Sequence, residues 1–170
     1  MNLDAKEFWN CWCGSNADAD TLRRISANAI ASEKTADDFL LESIRKNVVD
    51  AETIYRGLRA SPEAPILSYG IGDCFEMLPR SWSRDMKIAA HFFRKTWDAV
   101  GTPIFLRLTR DWNGEQFPMI HGFDVDAFFS HEPSIANFQQ EIVTAGTFLV
   151  LDKQPLHDGW LLTVRQIGCY

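Results

Sequence analysis

Gln139-Gln140-Glu141-Ile142-Val143-Thr144-Ala145-Gly146-Thr147-Phe148-Leu149-Val150-Leu151 is the stretch on which the reading of this chain turns. Its β-branched and apolar residues predict two short strands, Glu141–Thr144 and Thr147–Leu151, on either side of Gly146. Side chains alternate along a strand, so Gln139 and Glu141 fall on the same side. A polar loop, Ser130–Phe138, leads into them and presents Glu141 at the first strand position. A carboxylate held there is either a solvated loop end or a group placed to meet a substrate.

Upstream, TIYRGLR (53–59) alternates as a strand and is closed by the breaker-rich SPEAP (61–65). PIFLRLT (103–109) is a second strand, with Ile104, Leu106 and Leu108 on one face. Between them Ser83 is placed to cap a helix whose inner stripe is Ile88, Phe92 and Trp97 and which ends before Gly101. Past a loop with Asn113-Gly114, further β-like segments run over Gly122–Phe129 and Trp160–Ile167. The first fifty residues read as helical. Thr35-x-x-Asp38 resembles a capping box followed by Leu41, Ile44 and Val48 at helical spacing, and a shorter helix over Ala5–Trp12 is capped by Asn2 or Asp4. A helical part (1–50) before a β-rich part (52–170) predicts one α+β domain over residues 1–170.

Composition bounds the function. With 46 % hydrophobic and 24 % charged residues the chain is neither disordered nor fibrous. A net charge of −6 argues against the whole molecule being a basic nucleic-acid binder. Between Leu78 and Arg110, however, seven basic residues face two acidic ones, a balance expected where one face receives phosphates, though a solvated helix face accounts for part of it. Six Trp and twelve Phe fill a core and leave aromatics to stack on a flat ligand. No apolar run is long enough to span a membrane and MNLDAKEFWN has no hydrophobic signal core, so a cytoplasmic protein with reduced thiols and no membrane partner is expected. Cys11 and Cys13 form an isolated C-x-C far from Cys74 and Cys169, which reads as buried or incidental thiols more readily than as a zinc site; no metal is expected.

Two further features carry chemistry. Alternation puts Arg56 between Ile54 and Leu58 on one face, where its charge needs a partner: an internal carboxylate, or a phosphate or ribose hydroxyl gripped by its fork of donors. Gly57 beside it permits a close backbone approach. In Ser81-Trp82-Ser83 both hydroxyls point to one side while Trp82 enters the core.

The order of these features resembles the R-S-E class of ADP-ribosyltransferases, in its Q-x-E variant. Tyr55-Arg56-Gly57 stands for the strand arginine, and Ser81-Trp82-Ser83 for the S-T-S strand with Trp82 at the usual Thr. Ala89-x-x-Phe92 or Ala90-x-x-Phe93 stands for the A-x-x-F element, and Gln139-Gln140-Glu141 followed by Gly146-Thr147-Phe148 for the catalytic glutamate and its strand. The similarity covers roughly residues 53–151. It implies an ADP-ribosyltransferase-like split β-sandwich of two short mixed or antiparallel sheets, with N-terminal helices packed on them.

What the resemblance implies about chemistry follows. NAD+ is the substrate, bound by Arg56, Gly57, Ser81, Trp82 and Ser83, with Glu141, Gln139 and Ser81 as the catalytic set. Arg56 grips the phosphates, Ser81 holds Glu141, and Glu141 accepts the 2′-hydroxyl of the nicotinamide ribose and stabilises the positive charge that develops as nicotinamide leaves. Tyr69, Phe75 and Trp112 are candidates to stack on nicotinamide. Gln139, an amide where arginine-modifying members carry Glu, implies an acceptor other than arginine, either a protein side chain or a nucleobase of RNA or DNA. An NAD+ glycohydrolase and a non-catalytic module of the same fold remain alternatives, and the setting leaves an antitoxin or immunity protein open as a partner.

Overall fold

The computed structural model describes residues 36–94, 101–124 and 140–169, together with Ala27 and Lys34. The helix expected over Ala5–Trp12 with its caps, Cys11 and Cys13, Thr35, Trp97 and Gln139 lie outside the described residues.

The first described helix, α1 (Ala36–Lys46), buries Leu40 and Ile44 one turn apart against β7 and the start of β8, strands defined below. Leu41 is only half-buried. The helix also stops sooner than its apolar spacing implied. Asn47 turns back, its backbone N–H and its side-chain amide both donating to the Ser43 carbonyl at 3.1 and 2.7 Å, and the chain leaves as β1 (Val48–Val49). Val48 is therefore an exposed strand residue and Val49 the buried one.

The strands follow as β2 (Thr53–Ala60), β3 (Cys74–Ser83), β4 (Thr102–Thr109), β5 (Asp111–Trp112), β6 (Glu115–Gln116), β7 (Ile120–Asp124), β8 (Glu141–Pro155) and β9 (Trp160–Gly168), with helix α2 (Met86–Arg94) between β3 and β4. Two expectations about strands change. The two segments read around Gly146 are one fifteen-residue strand, because Gly146, at φ 124°, passes within 2.1 Å (measured from an added Cβ) of the Gly168 carbonyl. The second is β3, which the sequence does not announce. Pro79 and a bulge between Met77 and Arg80 break its alternation. Asn113 and Gly114, both at positive φ, make the two-residue turn of the small β5–β6 hairpin.

Hydrogen bonding joins β1-β7-β8-β3-β2-β4-β9 into one seven-stranded sheet, and β8 also pairs with β9, so the sheet closes on itself. The architecture is α+β and mostly strand. The two expected sheets are thus parts of one, and the split appears as seams. β2 meets β3 at one register pair, Tyr55↔Ser83, before the two strands part. A second seam lies along β8. One edge of β8 is paired to β3, whereas its other edge passes from β7 (Ile142–Thr144) to β9 (from Thr147 onward). Gln166 of β9 stitches that seam. Its amide oxygen accepts from the His121 N–H at 2.7 Å, and its amide nitrogen donates to the carbonyls of His121 and Ala145 and to Thr144 Oγ1. A side chain thereby does the work of a peptide unit in a ladder.

Ile104, Leu106 and Leu108 line the enclosed core as expected, with Ile54, Ile142, Leu162 and Val164. Tyr69, Phe75, Phe148 and Trp82 stack in sequence with ring centroids 5.3, 5.7 and 6.0 Å apart. On the opposite face of β2, Gly57 meets α2. A Cβ there would lie 2.2 Å from the Ala89 carbonyl and 2.4 Å from the Phe93 nitrogen. The stripe that α2 turns to the sheet is Ala89, buried, and Phe93, edge-on to Phe105, while Ile88 is half-buried.

Candidate active site

Arg56, Ser81, Ser83 and Glu141 are polar side chains that the fold buries, at 7, 8, 6 and 1 % exposure. They stand on β2, β3 and β8, which are neighbours in the sheet, so their backbones fall within two strand spacings, roughly 10 Å. Burial of a guanidinium and a carboxylate in one region places their fields in a low dielectric, where each counts for more than in water.

β2 delivers Arg56 by the alternation expected of it. Ile54 and Arg56 are buried and Tyr55 between them is half-buried. Where β2 and β3 part, the guanidinium turns into the gap and donates from Nη1 to the Ser81 carbonyl at 2.5 Å. It takes over an acceptor that a continued ladder would have satisfied. The arginine is thus fixed by the backbone of the serine strand.

β3 delivers both serines to one face and Trp82 to the other, as its sequence implied. Trp82 is 2 % exposed and stacked on Phe148, so its side chain packs the core and does not enter the site. Register then sets which serine lies opposite the glutamate along the strands. Ser83 is directly opposite Glu141, whereas Ser81 is opposite Val143 and lies on the diagonal. Directly opposed Cβ atoms are about 4.5–5.5 Å apart, against about 7–8 Å on the diagonal. The resemblance implied Ser81 as the partner of Glu141; in the register it is Ser83 that holds the directly opposed position.

The helix cap moves as well. Ser83 Oγ accepts the Asp85 N–H at 3.0 Å, while Asp85 Oδ1 accepts the Lys87 N–H at 2.7 Å and caps α2. Gln140 precedes Glu141 in the left-handed region, at φ 45°, and its carbonyl accepts the Arg84 N–H at 3.2 Å, adding one rung beyond the Ser83–Glu141 pair. Arg84 Nη1 donates to the Asp50 carbonyl at 3.1 Å, and Nη2 lies 3.5 Å from the Asp124 carboxylate. It ties the ends of β3 and β7 to the entry into β2, beside Glu141.

One residue escaped the sequence reading. Tyr55 lies in line with Ser83 and Glu141 across three strands and stacks on Phe105 at 5.9 Å. Its neighbour Arg56 drew attention on sequence, but only the β2–β3 register shows that Tyr55 shares the serine face. Of the aromatics named as nicotinamide platforms, Phe75 and Tyr69 stand elsewhere, whereas Trp112 neighbours Arg107, the partner of Tyr55 on β4. Phe75 is eight residues from Ser83, roughly 25 Å along β3, and Tyr69 is stacked on it. Trp112 lies under Arg107, 4.9 Å from ring centroid to guanidinium carbon. Among the described residues no three or more His, Cys, Asp or Glu side chains converge on a metal position, and no helix is long and apolar enough to cross a membrane.

The closed mixed sheet with its helices has the fold of bacterial ADP-ribosyltransferases. Among solved structures the ADP-ribosyltransferase Vis, in complex with an inhibitor, superposes with a TM-score of 0.59 at 11 % identity, covering 96 % of this chain and 82 % of that one. Another Vis structure, described as a toxin of Vibrio splendidus, gives 0.53 at 12 % identity over 98 % and 75 %. Exoenzyme S from Pseudomonas aeruginosa, bound to carba-NAD and in complex with human 14-3-3 protein beta, gives 0.55 at 13 % identity over 98 % and 83 %. No protein-family model and no curated protein sequence matches the chain.

Proposed function

We propose that this protein is a mono-ADP-ribosyltransferase that cleaves NAD+, releases nicotinamide and transfers ADP-ribose to a macromolecular acceptor other than arginine. The observation that carries the reading is the register that sets Ser83 against Glu141 while Arg56 is held on the backbone of the same serine strand. Exoenzyme S bound to carba-NAD has the same fold, which supports NAD+ as the substrate.

Arg56 grips the NAD+ phosphates, its guanidinium aligned by the Ser81 carbonyl. Ser83 faces Glu141 and orients its carboxylate. Tyr55, next in the same row, supplies a ring face to the nicotinamide end. Glu141 accepts a hydrogen bond from the 2′-hydroxyl of the nicotinamide ribose. The glycosidic C1′–N bond then breaks, its electron pair leaves with neutral nicotinamide, and positive charge spreads over C1′ and the ring oxygen. A fixed carboxylate stabilises that charge without reorganising. An acceptor nucleophile adds to C1′ and gives up its proton. Gln139 bears on that acceptor. As an amide it both donates and accepts, which suits a carboxamide side chain or a nucleobase better than a guanidinium.

The test is nicotinamide release from NAD+ and transfer of label from labelled NAD+ in cell lysate, followed by separate protease and nuclease digestion. Transfer to a macromolecule with label lost to one digestion supports the reading and names the acceptor class. Fast nicotinamide release with no labelled macromolecule would show hydrolysis instead, and no release under any condition would remove the enzyme altogether.

A further inference from the structure

Glu141 opens β8, and the first residue of a strand is the one its ladder holds least. On one side it pairs with Ser83 of β3. On the other, the last pair with β7 is Asp124↔Ile142, one residue short of it. Just before it, Gln140 keeps φ at 45°, a conformation that costs a non-glycine residue energy and persists only where its surroundings impose it. A buried carboxylate that acts without reorganising needs a firmer seat than this ladder end supplies.

Arg84 supplies it through three contacts. Its backbone N–H donates at 3.2 Å to the Gln140 carbonyl, which belongs to the peptide unit joining Gln140 to Glu141. Its guanidinium donates from Nη1 to the Asp50 carbonyl at 3.1 Å, and Nη2 lies 3.5 Å from the Asp124 carboxylate. Because β8 runs between β3 and β7, a side chain that starts at the end of β3 and meets Asp124 of β7 reaches across β8. Alternation turns Arg84 to the face opposite Ser83 and Glu141, and Asp124 shares the face of its partner Ile142. The guanidinium thus passes behind the Glu141 carboxylate, as a strap over the back of the first residues of β8. An ion pair at 3.5 Å between side chains 34 and 30 % exposed adds little to the stability of the whole molecule. Its effect is local, at the one place where β8 is held from a single side.

We infer that Arg84 is a positioning residue for Glu141: its backbone and its guanidinium together fix the peptide before the carboxylate and keep the carboxylate aimed. The inference rests on the reading of Glu141 as the group that acts on NAD+, and it needs no contact between Arg84 and substrate.

The test uses the full chain with Arg84→Gln, which keeps the backbone bond and removes the strap, and Arg84→Lys, which keeps the charge. In Arg84→Gln, backbone amide exchange should rise about tenfold or more over residues 140–142 and stay within about twofold over 161–164 of β9. In nicotinamide release, kcat should fall about tenfold with the KM for NAD+ within about twofold of its starting value, since aim and not binding is lost. Arg84→Lys should recover part of both effects through its charge toward Asp124. The inference is overturned by a folded Arg84→Gln protein whose exchange is unchanged over 140–142 or raised evenly across the sheet. A raised KM at unchanged kcat overturns it too, as does an Arg84→Lys protein no better than Arg84→Gln. An unaltered protein that releases no nicotinamide ends the reading of the Glu141 site instead, and amide exchange then decides by itself whether Arg84 holds the start of β8.

Discussion

Glu141 and the two serines can be separated by experiment because register gives each a different neighbour. Glu141→Gln keeps the shape of the buried side chain and removes its charge. Nicotinamide release should fall by about a hundredfold or more, the scale of deleting one preorganised electrostatic contact, with the circular dichroism spectrum unchanged. Ser83→Ala should cost more activity than Ser81→Ala, since Ser83 opposes Glu141 and Ser81 opposes Val143. The same substitution removes the bond from the Asp85 N–H, so Ser83→Ala should also lower stability by about 1 kcal/mol in denaturant unfolding. Equal activity losses from the two serines would mean that the direct pair is not what orients the carboxylate. At this scale the sequence was informative where chemistry is local. A buried arginine among alternating apolar residues and two serines on one face are legible from period two alone. Which serine meets which carboxylate, and that Tyr55 joins their row, depends on how three distant strands are aligned, and no local pattern encodes that.

Elements were legible in proportion to the regularity of their alternation. β2 and β4 are uninterrupted and were found nearly to their ends. β3 carries Pro79 and a bulge, and β8 carries a glycine that reads as a breaker but here admits the Gly168 carbonyl. Helix α2 shows the same limit. Ile88 and Phe92 fit one helical stripe and Ala89 and Phe93 another, and the choice was made by Gly57, which leaves room only for a small residue at the point of contact. Gly57→Ala should therefore push α2 off the sheet. A loss of about 1–3 kcal/mol is expected, read as a fall of several degrees in thermal midpoint for a chain of this size. An unchanged midpoint would show that α2 has slack. Asp85→Ala tests the cap alone and should cost about 1 kcal/mol.

For the whole molecule, the class was legible and the closure was not. Helices before strands implied α+β, but the pairing of β8 with β9 that turns a sheet into a closed form joins segments which in sequence are only a strand and its follower. Gln166 is the side chain on which this closure leans, since its four hydrogen bonds reach β7 and β8 together. Gln166→Ala should lower stability by about 2–4 kcal/mol, because it strands buried backbone groups as well as losing bonds. Amide exchange should rise first at His121 and Ala145, ahead of the rest of the sheet.

The one rung between β2 and β3 has a mechanical meaning. A sheet under shear resists through rungs loaded together, and at Tyr55 and Ser83 there is a single one to load. β2, β4 and β9 stand on one side of this seam, β3 and the first half of β8 on the other, and the β8–β9 pairing closes the sheet on the far side. Arg56 stands on one side, Ser83 and Glu141 on the other, and Arg56 reaches across to the Ser81 carbonyl. On the proposed reading, a substrate gripped by that guanidinium would lie across the seam and bridge its two sides.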